Sequence, residues 1–243
     1  MATDYTQDAN IRAYWYFEES SSPSLDGTAN NNDLTWTGAA ANQDTSLFKQ
    51  GASSIRTTAE TGNLPTLAHA SVSSNFPFKA VVLEFTIGGW LRIAATSSFT
   101  FFYYGQAGEG PIMTIDGTGK IDAAIRTESA VNADAAASIN TWYHVVYRWN
   151  GENRSGAGAN DELSLWINGV KQTSTLTTTN PAEVTGGELR FYGAATNNFW
   201  FDEWFVFDKA LLDTQIADIY NYRLDGSLGT IPESRRIMIV RAG

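Results

Sequence analysis

Short runs of aromatic and β-branched residues recur along nearly the whole chain, and segments rich in Gly, Ser, Asn and Asp separate them. Runs of this length and composition favour strands, and the separating segments are typical of turns. Two of the separators, Gly117-Thr118-Gly119 and Asn168-Gly169, are short enough to join antiparallel neighbours as hairpins. The predicted strands lie at 11–17, 34–37, 81–93, 99–105, 111–116, 120–128, 142–150, 162–168, 188–193 and 199–208.

Only one segment shows a helical pattern. Ile216, Ile219 and Tyr220 form one apolar stripe between Asp213 and Tyr222, and Asp213 is suited to the N-cap or to the first turn. About a dozen short strands with one short C-terminal helix predict an all-β protein, an antiparallel two-sheet β-sandwich of the jelly-roll kind. Gly88 and Gly89 within a strand predict a bulge or the close approach of another backbone.

The 243 residues are compatible with one large sandwich domain, which we assign to residues 1–224. Residues 225–243 form a separate C-terminal tail. The tail begins with a polar linker and carries Ile-Met-Ile-Val at 237–240, a predicted terminal strand. Such a strand needs a sheet edge, either on this chain or on a partner, so the tail could support homo-oligomerisation or assembly.

Charge and composition exclude several partners. The net charge of −10 repels phosphate backbones, so we expect no nucleic-acid partner. The absence of Cys rules out disulfides, cysteine zinc sites and thiol catalysis. We see neither a signal peptide nor an apolar run that could span a membrane. The expected location is extracellular or on a virion surface.

Two groups of residues are candidates for ligand binding. The loop 26–33 offers carboxylate and amide oxygens, the ligands that calcium prefers, and Asp26, Asn32 and Asp33 are the predicted ligands. The alternative is that these residues simply make turns. A sugar would need exposed aromatic rings with polar neighbours, and the predicted sugar-binding residues are Trp36, Tyr104, Arg148, Trp149 and Trp166. The alternative is that these aromatic residues belong to the core.

Catalytic patterns are missing from the sequence. A glycoside hydrolase of this architecture would place two carboxylates on one face of a strand, two residues apart. Asp202 and Glu203 are adjacent and therefore point to opposite faces. His144 and His69 have no acid or nucleophile in a triad pattern, and no G-x-S-x-G elbow is present. We therefore expect a protein that is not an enzyme.

Seven motifs in a fixed order resemble the laminin-G-like, pentraxin-like domains of the concanavalin A-like lectin/glucanase superfamily. They are YWYFEE (14–19), DGTANNNDLTWTG (26–38), FKQGASSIR (48–56), FTIGGWLR (85–92), TWYHVVYRWNG (141–151), LSLWINGVKQ (163–172) and FDEWFVFDKALLDTQIADIYN (201–221). The resemblance covers about residues 11–222 and implies the same sandwich. It also implies that Asp202, with groups from the early loop, helps to hold a structural calcium.

Two functions follow as the main expectations. The resemblance implies a non-catalytic recognition module for carbohydrate or a cell-surface partner, although fold alone does not fix function. The alternative is a structural virion protein, such as a phage decoration or fibre component, which would use the tail to contact a neighbouring protein. A glycoside hydrolase is the third alternative, and the carboxylate pattern disfavours it.

Overall fold

The computed structural model describes residues 4–37, 43–58, 64–79, 84–106, 109–125, 130–151, 162–177, 184–193 and 198–222. Within them the strands are β1 (Ile11–Trp15), β2 (Thr35–Thr37), β3 (Gln43–Asp44), β4 (Ser54–Thr57), β5 (Leu64–Ala68), β6 (Phe85–Ile93), β7 (Phe99–Gly105), β8 (Pro111–Ile115), β9 (Lys120–Ile125), β10 (Val131–Ala136), β11 (Trp142–Trp149), β12 (Glu162–Ile167), β13 (Val170–Thr177), β14 (Glu188–Phe191) and β15 (Phe199–Phe207). The single described α-helix, α1, spans Asp213–Tyr222, and two short 3₁₀ turns lie at Tyr5–Gln7 and His69–Ser71.

The strands form two antiparallel sheets. The first sheet has the order β13-β12-β11-β6-β15-β4-β3, with β1 also paired to β15. The second has the order β10-β9-β8-β7-β14-β5-β2. Strands that are neighbours in a sheet are often distant in sequence, as β6 and β15 are. Much of the fold therefore depends on pairing between distant strands and not on hairpins. The predicted two-sheet sandwich with one short C-terminal helix is confirmed.

Aromatic side chains from both sheets meet in the interior. The Phe191 ring on β14 makes an edge-on contact with Trp204 of β15 at 5.2 Å, and Phe102 on β7 stacks on Trp204 at 5.4 Å. Trp15 on β1 approaches the edge of Phe191 at 5.8 Å. All four residues are fully buried. Removing such large apolar surfaces from water contributes roughly 1.5–3 kcal/mol for each side chain, which makes this cluster the centre of the core.

Two glycines on β6 allow close packing on both faces of the sheet. A Cβ atom on Gly88 would lie 2.4 Å from the carbonyl oxygen of Val145, and one on Gly89 would lie 2.5 Å from the Trp204 ring. The register of β15 shifts between Asp202 and Phe205, which places Trp204 over Gly89. The close approach predicted from the glycine pair is therefore present.

The helix α1 covers part of the outer face of the first sheet. Leu211, Ile216 and Ile219 pack with residues that point outward from this sheet, and Tyr5, Ile11 and Tyr14 near the N-terminus complete the cluster. The outward sheet residues in the cluster are Val146, Trp166, Phe205 and Phe207. Strands β15 and β11 are therefore buried on both faces over much of their length. The helix begins and ends where the sequence predicts.

Part of the sequence prediction lies outside the described residues, and the prediction also missed some strands. The predicted boundary at 224 and the tail 225–243 lie outside the described residues, so the tail's role in assembly stays a prediction. Strands β3, β5 and β10 were not predicted; the sequence of β10, Val131–Ala136, is rich in Ala rather than in β-branched residues. None of the described helices is long and apolar enough to cross a membrane.

Candidate recognition surfaces

Three of the predicted sugar-binding aromatic residues lie inside the protein. Tyr104 and Trp149 belong to the interior core, with 1% and 0% of their surfaces exposed, and Trp166 is 1% exposed beneath α1. The Tyr104 hydroxyl shares a hydrogen bond with Nδ1 of His69 at 2.9 Å. None of these rings offers a face to a ligand, so the predicted stacking platform is corrected to core packing. Aromatic residues lie on both faces of these strands, so the alternation of apolar and polar residues cannot distinguish buried positions from exposed ones.

Arg148 has a structural position instead of a ligand-facing one. Its Nη1 donates to the carbonyl of Leu211 at 2.6 Å and to the Asp213 carboxylate at 2.7 Å. The guanidinium carbon lies 4.2 Å from the centre of the Trp166 ring. Arg148 therefore holds the N-terminal end of α1 against the sheet.

Trp36 is half-buried on β2 and packs against the interior core. Its indole N–H donates to the Ser24 hydroxyl at 2.7 Å, which fixes the ring in the early loop. It is the one predicted aromatic residue with appreciable exposure, and the others predicted with it lie elsewhere.

Asp26 organises the loop predicted to hold calcium. Its Oδ1 accepts the backbone N–H groups of Tyr14 and Thr28 at 3.0 and 2.9 Å. Its Oδ2 accepts the Thr28 hydroxyl and the Asn32 N–H, both at 2.9 Å. The Asp33 carboxylate in turn accepts the N–H of Asp26 at 2.7 Å. These bonds fold the loop around its own backbone.

The other predicted calcium ligands point elsewhere. The Asn32 side-chain amide donates to the Arg12 carbonyl at 2.7 Å and accepts the Ser73 N–H at 2.8 Å. Asp202 is fully buried, and its Oδ2 accepts the N–H groups of Lys49 and Gln50, both at 2.8 Å. In the part of the chain that the structure describes, no group of three or more His, Asp or Glu has metal-binding geometry. The bonds of Asp26, Asn32 and Asp33 are therefore made around the early loop and those of Asp202 to the β3–β4 loop, and the calcium site stays a prediction.

An open groove of about 670 Å³ lies where the two sheets meet along one side of the sandwich. The β8–β9 turn, β10 and β13 form its walls. Most of its lining residues have polar or charged side chains, although their aliphatic atoms also contribute to the wall, and the lining comprises Asp116, Thr118, Lys120, Asn132, Ala133, Asp134, Thr173 and Ser174. The groove is within the size range of small-ligand sites and offers both donors and acceptors.

The two carboxylates of the groove are held in their charged forms. The hydroxyl and N–H of Thr173 donate to Asp134 Oδ1, at 2.6 and 3.0 Å, and these bonds lower the pKa of Asp134. Slight burial would raise the pKa of Asp116, but hydrogen bonds from Lys120 and Thr118 outweigh it and lower that pKa. Both groups are therefore hydrogen-bond acceptors at neutral pH. The Asp134–Thr173 bonds also join β10 of one sheet to β13 of the other.

A second surface lies on the outer face of the first sheet, beyond the part that α1 covers. Cross-strand pairing places four side chains in one row over β11, β6, β15 and β4, namely Trp142, Arg92, Trp200 and Arg56. We call this set the Trp–Arg row. The guanidinium carbon of Arg92 lies 4.5 Å from the centre of the Trp200 ring, at cation–π distance. Arg56 is exposed, whereas Arg92 and Trp142 are half-buried.

Sequence reasoning did not find either surface. Each one depends on register between strands that are far apart in the chain, and no local pattern encodes that register. The signal that was available is Arg56 and Arg92 within otherwise apolar strands, which marks outward-facing positions.

Comparisons with known proteins agree with the architecture. A family model of laminin G type, described as Concanavalin A-like lectin/glucanases superfamily, matches residues 60–217, more than half of the chain. No curated protein sequence matches the chain.

Solved structures with a similar fold include binding domains of botulinum neurotoxin. The binding domain of botulinum neurotoxin DC in complex with rat synaptotagmin II has a TM-score of 0.65 and 15% identity, covering 87% of this chain and 51% of that one. A botulinum neurotoxin type C structure, described as dependent on two ganglioside molecules for cell entry, has a TM-score of 0.63 and 14% identity, with the same coverage. A neurotoxin DC binding domain in complex with SialylT has a TM-score of 0.63 and 15% identity, covering 89% and 52%. This chain thus spans about half the length of these structures, and the likeness is one of fold.

Proposed function

The chain belongs to the concanavalin A-like lectin/glucanases superfamily, and from that membership we propose that it is a non-catalytic recognition module that binds carbohydrate through the polar groove. The observation that carries the proposal is the groove itself, a concave site of about 670 Å³ whose walls supply carboxylate, amide, ammonium and hydroxyl groups. Sugars expose closely spaced hydroxyls, and a lining of mixed donors and acceptors can satisfy them through hydrogen bonds alone, without the aromatic platform expected from the sequence.

Asp134 supplies the best-placed acceptor. Its Oδ1 accepts both bonds from Thr173, which leaves Oδ2 with no hydrogen bond from the described residues. Hydrogen bonds to a charged acceptor are stronger than those between neutral groups. Asn132 lies on the same strand and donates to Asp122 at 2.7 Å, so its side chain is fixed before a ligand arrives. Fixed polar groups reduce the entropy lost on binding.

The same groups argue for binding without catalysis. Hydrolysis of a glycoside needs a protonated carboxyl as general acid, and the pKa of both Asp116 and Asp134 is lowered. The adjacent acids on β15, Asp202 and Glu203, are 0% and 7% exposed and cannot reach a substrate. These features support a binding role.

The neurotoxin domains of similar fold support a cell-surface or extracellular setting. One is in complex with a protein, rat synaptotagmin II, and another is described as interacting with ganglioside molecules. Because identity is only 14–15%, the residues that those proteins use are not transferred to this chain.

The proposal is tested with the whole chain on a glycan array, followed by calorimetric titration with the neutral oligosaccharides that bind. Asp134→Asn keeps the Oδ1 acceptor for Thr173 and changes the group facing the groove, and Ser174→Ala removes a lining hydroxyl. Each variant is expected to weaken binding about fivefold, the effect of one hydrogen bond. Thr175→Ala, an exposed neighbour on β13 that does not line the groove, is the matched control and should bind like the wild type.

Two results would contradict the proposal. Absence of binding to every glycan on the array would remove the recognition function. Binding that is equally strong in the wild type, Asp134→Asn and Ser174→Ala would show that recognition occurs elsewhere on the molecule.

A further inference from the structure

The two arginines of the Trp–Arg row form no direct ion pair. Neither Arg56 nor Arg92 belongs to an ion pair of the described part of the chain. Two carboxylates lie beside the row, and both bind other donors. Asp44 accepts the Trp200 indole N–H at 2.8 Å and the N–H groups of Ser46 and Leu47, and the buried Asp202 accepts backbone N–H groups of the β3–β4 loop. The guanidinium groups are therefore left without a carboxylate partner of their own among the described residues.

The guanidinium group of Arg92 includes a buried donor that makes no hydrogen bond. Its Nη1 is buried and has no hydrogen-bond partner. A buried donor without a partner costs about 1–3 kcal/mol, so native proteins rarely leave one unless an ion, a water molecule or a ligand satisfies it. The ring of Trp200 beneath the guanidinium holds the group in position.

Register sets the spacing of the charges. Arg56 and Arg92 are on β4 and β6, and both pair with Trp200 on the intervening β15. Two strand spacings separate their Cα atoms by about 10 Å. A guanidinium presents its donors in a planar fork that matches a carboxylate or a sulfate. Trp142, half-buried at the other end of the row, adds an aromatic ring beside Arg92.

A third basic residue lies on the same face. Lys49 is exposed, and its Nζ lies 4.4 Å from the centre of the Trp90 ring. Trp90 is two residues before Arg92 on β6, so both point outward from the sheet. The surface therefore combines three cations with aromatic rings, a composition suited to an anionic ligand that also has a non-polar face.

We propose that the Trp–Arg row is a second binding site, separate from the groove, for the carboxylate or sulfate groups of an acidic oligosaccharide. The guanidinium groups of Arg56 and Arg92 bind the anionic groups, and Trp142 packs against a sugar ring. An acidic oligosaccharide fits better than an acidic peptide because Trp142 can stack on the C–H face of a sugar. The site does not depend on the groove, which lies at another side of the sandwich.

Matched pairs of ligands test the proposal with the full chain in calorimetric titrations. The carboxylate pair is oligogalacturonate and its methyl ester, and the sulfate pair is a chondroitin sulfate oligosaccharide and its desulfated form. Polyglutamate is the acidic peptide. We expect the charged member of at least one pair to bind at least about tenfold more tightly than its neutral partner, and this preference should fall as salt is raised.

Variants locate the binding. Arg56→Gln changes an exposed side chain and is expected to weaken acidic-glycan binding about five- to tenfold, as loss of a charge-assisted contact would. Arg92→Gln should have at least the same effect, and the exposed Arg56 keeps the test informative if Arg92→Gln folds poorly. Arg190→Gln is the control because Arg190 is on the second sheet and already pairs with Glu188. Thr175→Ala, which lies in neither surface, should also leave acidic-glycan binding unchanged.

The outcomes separate this proposal from the proposed function. If neutral glycans bind through the groove and charge gives no preference, the Trp–Arg site is overturned and the recognition function stands. Equal binding by the wild type and Arg56→Gln, or loss of binding in Arg190→Gln alone, also overturns it. Binding to polyglutamate without binding to either acidic glycan assigns the surface to a peptide and overturns the proposal. If no glycan binds, both proposals fail.

Discussion

The carboxylate of Asp202 accepts a hydrogen bond from the backbone N–H of Lys49 at 2.8 Å, although the two residues are on distant parts of the chain. The same oxygen accepts the N–H of Gln50 at 2.8 Å, and Asp202 is fully buried on the outer face of the first sheet. This carboxylate therefore attaches the loop between β3 and β4 to β15. The resemblance to relatives implied that Asp202 would hold calcium, and that role stays a prediction; the structure shows that its Oδ2 holds the backbone of this loop.

Asp202→Ala is expected to lower the free energy of unfolding by about 2–4 kcal/mol, because it leaves two backbone donors without their acceptor and opens a small cavity. Urea denaturation followed by tryptophan fluorescence measures the change. Asp218→Ala is the control, since Asp218 is exposed and accepts only a long bond from the Tyr5 hydroxyl at 3.4 Å. Equal stability of the two variants would contradict the anchoring role.

Glu19 should make the protein less stable as pH rises. Burial, together with the carboxylates of Glu18 and Asp33, raises the pKa of Glu19 from 4.5 to about 7, despite a hydrogen bond from the Leu25 N–H. The folded protein therefore binds more protons than the unfolded chain between these values, and stability falls as pH rises through that window. Glu19→Gln should raise the free energy of unfolding at pH 8 by about 1–3 kcal/mol, and the gain should vanish near pH 4.

Urea denaturation of Glu19→Gln at a series of pH values provides the measurement. The control is Glu84→Gln, which changes a glutamate outside this loop and should leave the pH dependence intact. A gain for Glu19→Gln of the same size at pH 4 and pH 8 would show that the pKa of Glu19 is not raised in the folded protein.

His144 should have the opposite effect on the pH profile. Burial, and secondarily the charge of Lys49, lowers the pKa of His144 from 6.5 to about 3. Its ring lies among Trp90 and Tyr220, with centroid distances of 5.1 and 5.8 Å, and its Nδ1 has no hydrogen-bond partner. The unfolded chain therefore binds more protons between pH 3 and 6.5, and this contribution to stability is lost as pH falls through that range.

His144→Leu, a change to an apolar residue of similar size, should lose less stability than the wild type between pH 7 and pH 5. The Glu19→Gln background is best for the measurement, because Glu19 acts in the opposite direction over part of this range. His69→Gln is the comparison: burial also lowers the pKa of His69, so this change should reduce the slope too, but less than His144→Leu does, because the His144 ring is fully buried. An identical slope in His144→Leu would mean that another group controls the acid sensitivity.

The sequence predicted the sandwich and the helix well, because both depend on local periodicity. Ile216 and Ile219 lie at helical spacing, and the structure places both on the buried face of α1. Strand β15 shows the limit of this reasoning. All nine of its residues are buried, since one face meets the interior and the other meets α1 and the loop that Asp202 anchors. The strand itself was predicted at 199–208, but alternation cannot show which residues face the interior when both faces are covered.

The binding surfaces were harder to predict for a related reason. Trp149 and Trp166 were expected to be exposed because each is next to a loop or out of phase with apolar neighbours. Trp149 instead faces the interior core beside Phe85, its cross-strand partner, and α1 covers Trp166. The Trp–Arg row requires the register of four strands, which is a tertiary property. The prediction of binding residues thus failed because the exposure of a strand residue depends on what packs against its face of the sheet, and the sequence does not show this.

Adding or removing calcium should leave the melting temperature of the protein unchanged. The two oxygens of Asp26 accept four hydrogen bonds, which is about the full acceptor capacity of a carboxylate. The melting temperature with excess chelator should therefore equal that with added calcium, whereas Asp26→Ala should lower the free energy of unfolding by about 2–4 kcal/mol. A reversible rise of several degrees on adding calcium would restore the calcium site predicted from the sequence.

Gly89 should tolerate no side chain, because Trp204 already occupies the space. A Cβ atom at Gly89 would lie 2.5 Å from both Cγ and Cδ1 of Trp204 and 2.8 Å from its Cα. Trp204 cannot easily move, since it is fully buried, stacks on Phe102 and donates its indole N–H to the Trp90 carbonyl at 3.0 Å. Gly89→Ala must therefore separate β6 from β15 or displace the centre of the core. We expect a loss of about 3 kcal/mol or more, measured by urea denaturation.

The matched control for this substitution is Gly117→Ala. Gly117 lies in the turn between β8 and β9, and a Cβ atom there meets nothing within 4 Å. This change should alter the free energy of unfolding by less than about 0.5 kcal/mol, as other surface substitutions do. The difference between the two variants isolates the steric demand of Trp204, because both add one methyl group to a glycine. If both variants were equally stable, β6 could yield to Trp204 without cost, and the register shift after Asp202 would not be what requires glycine at position 89.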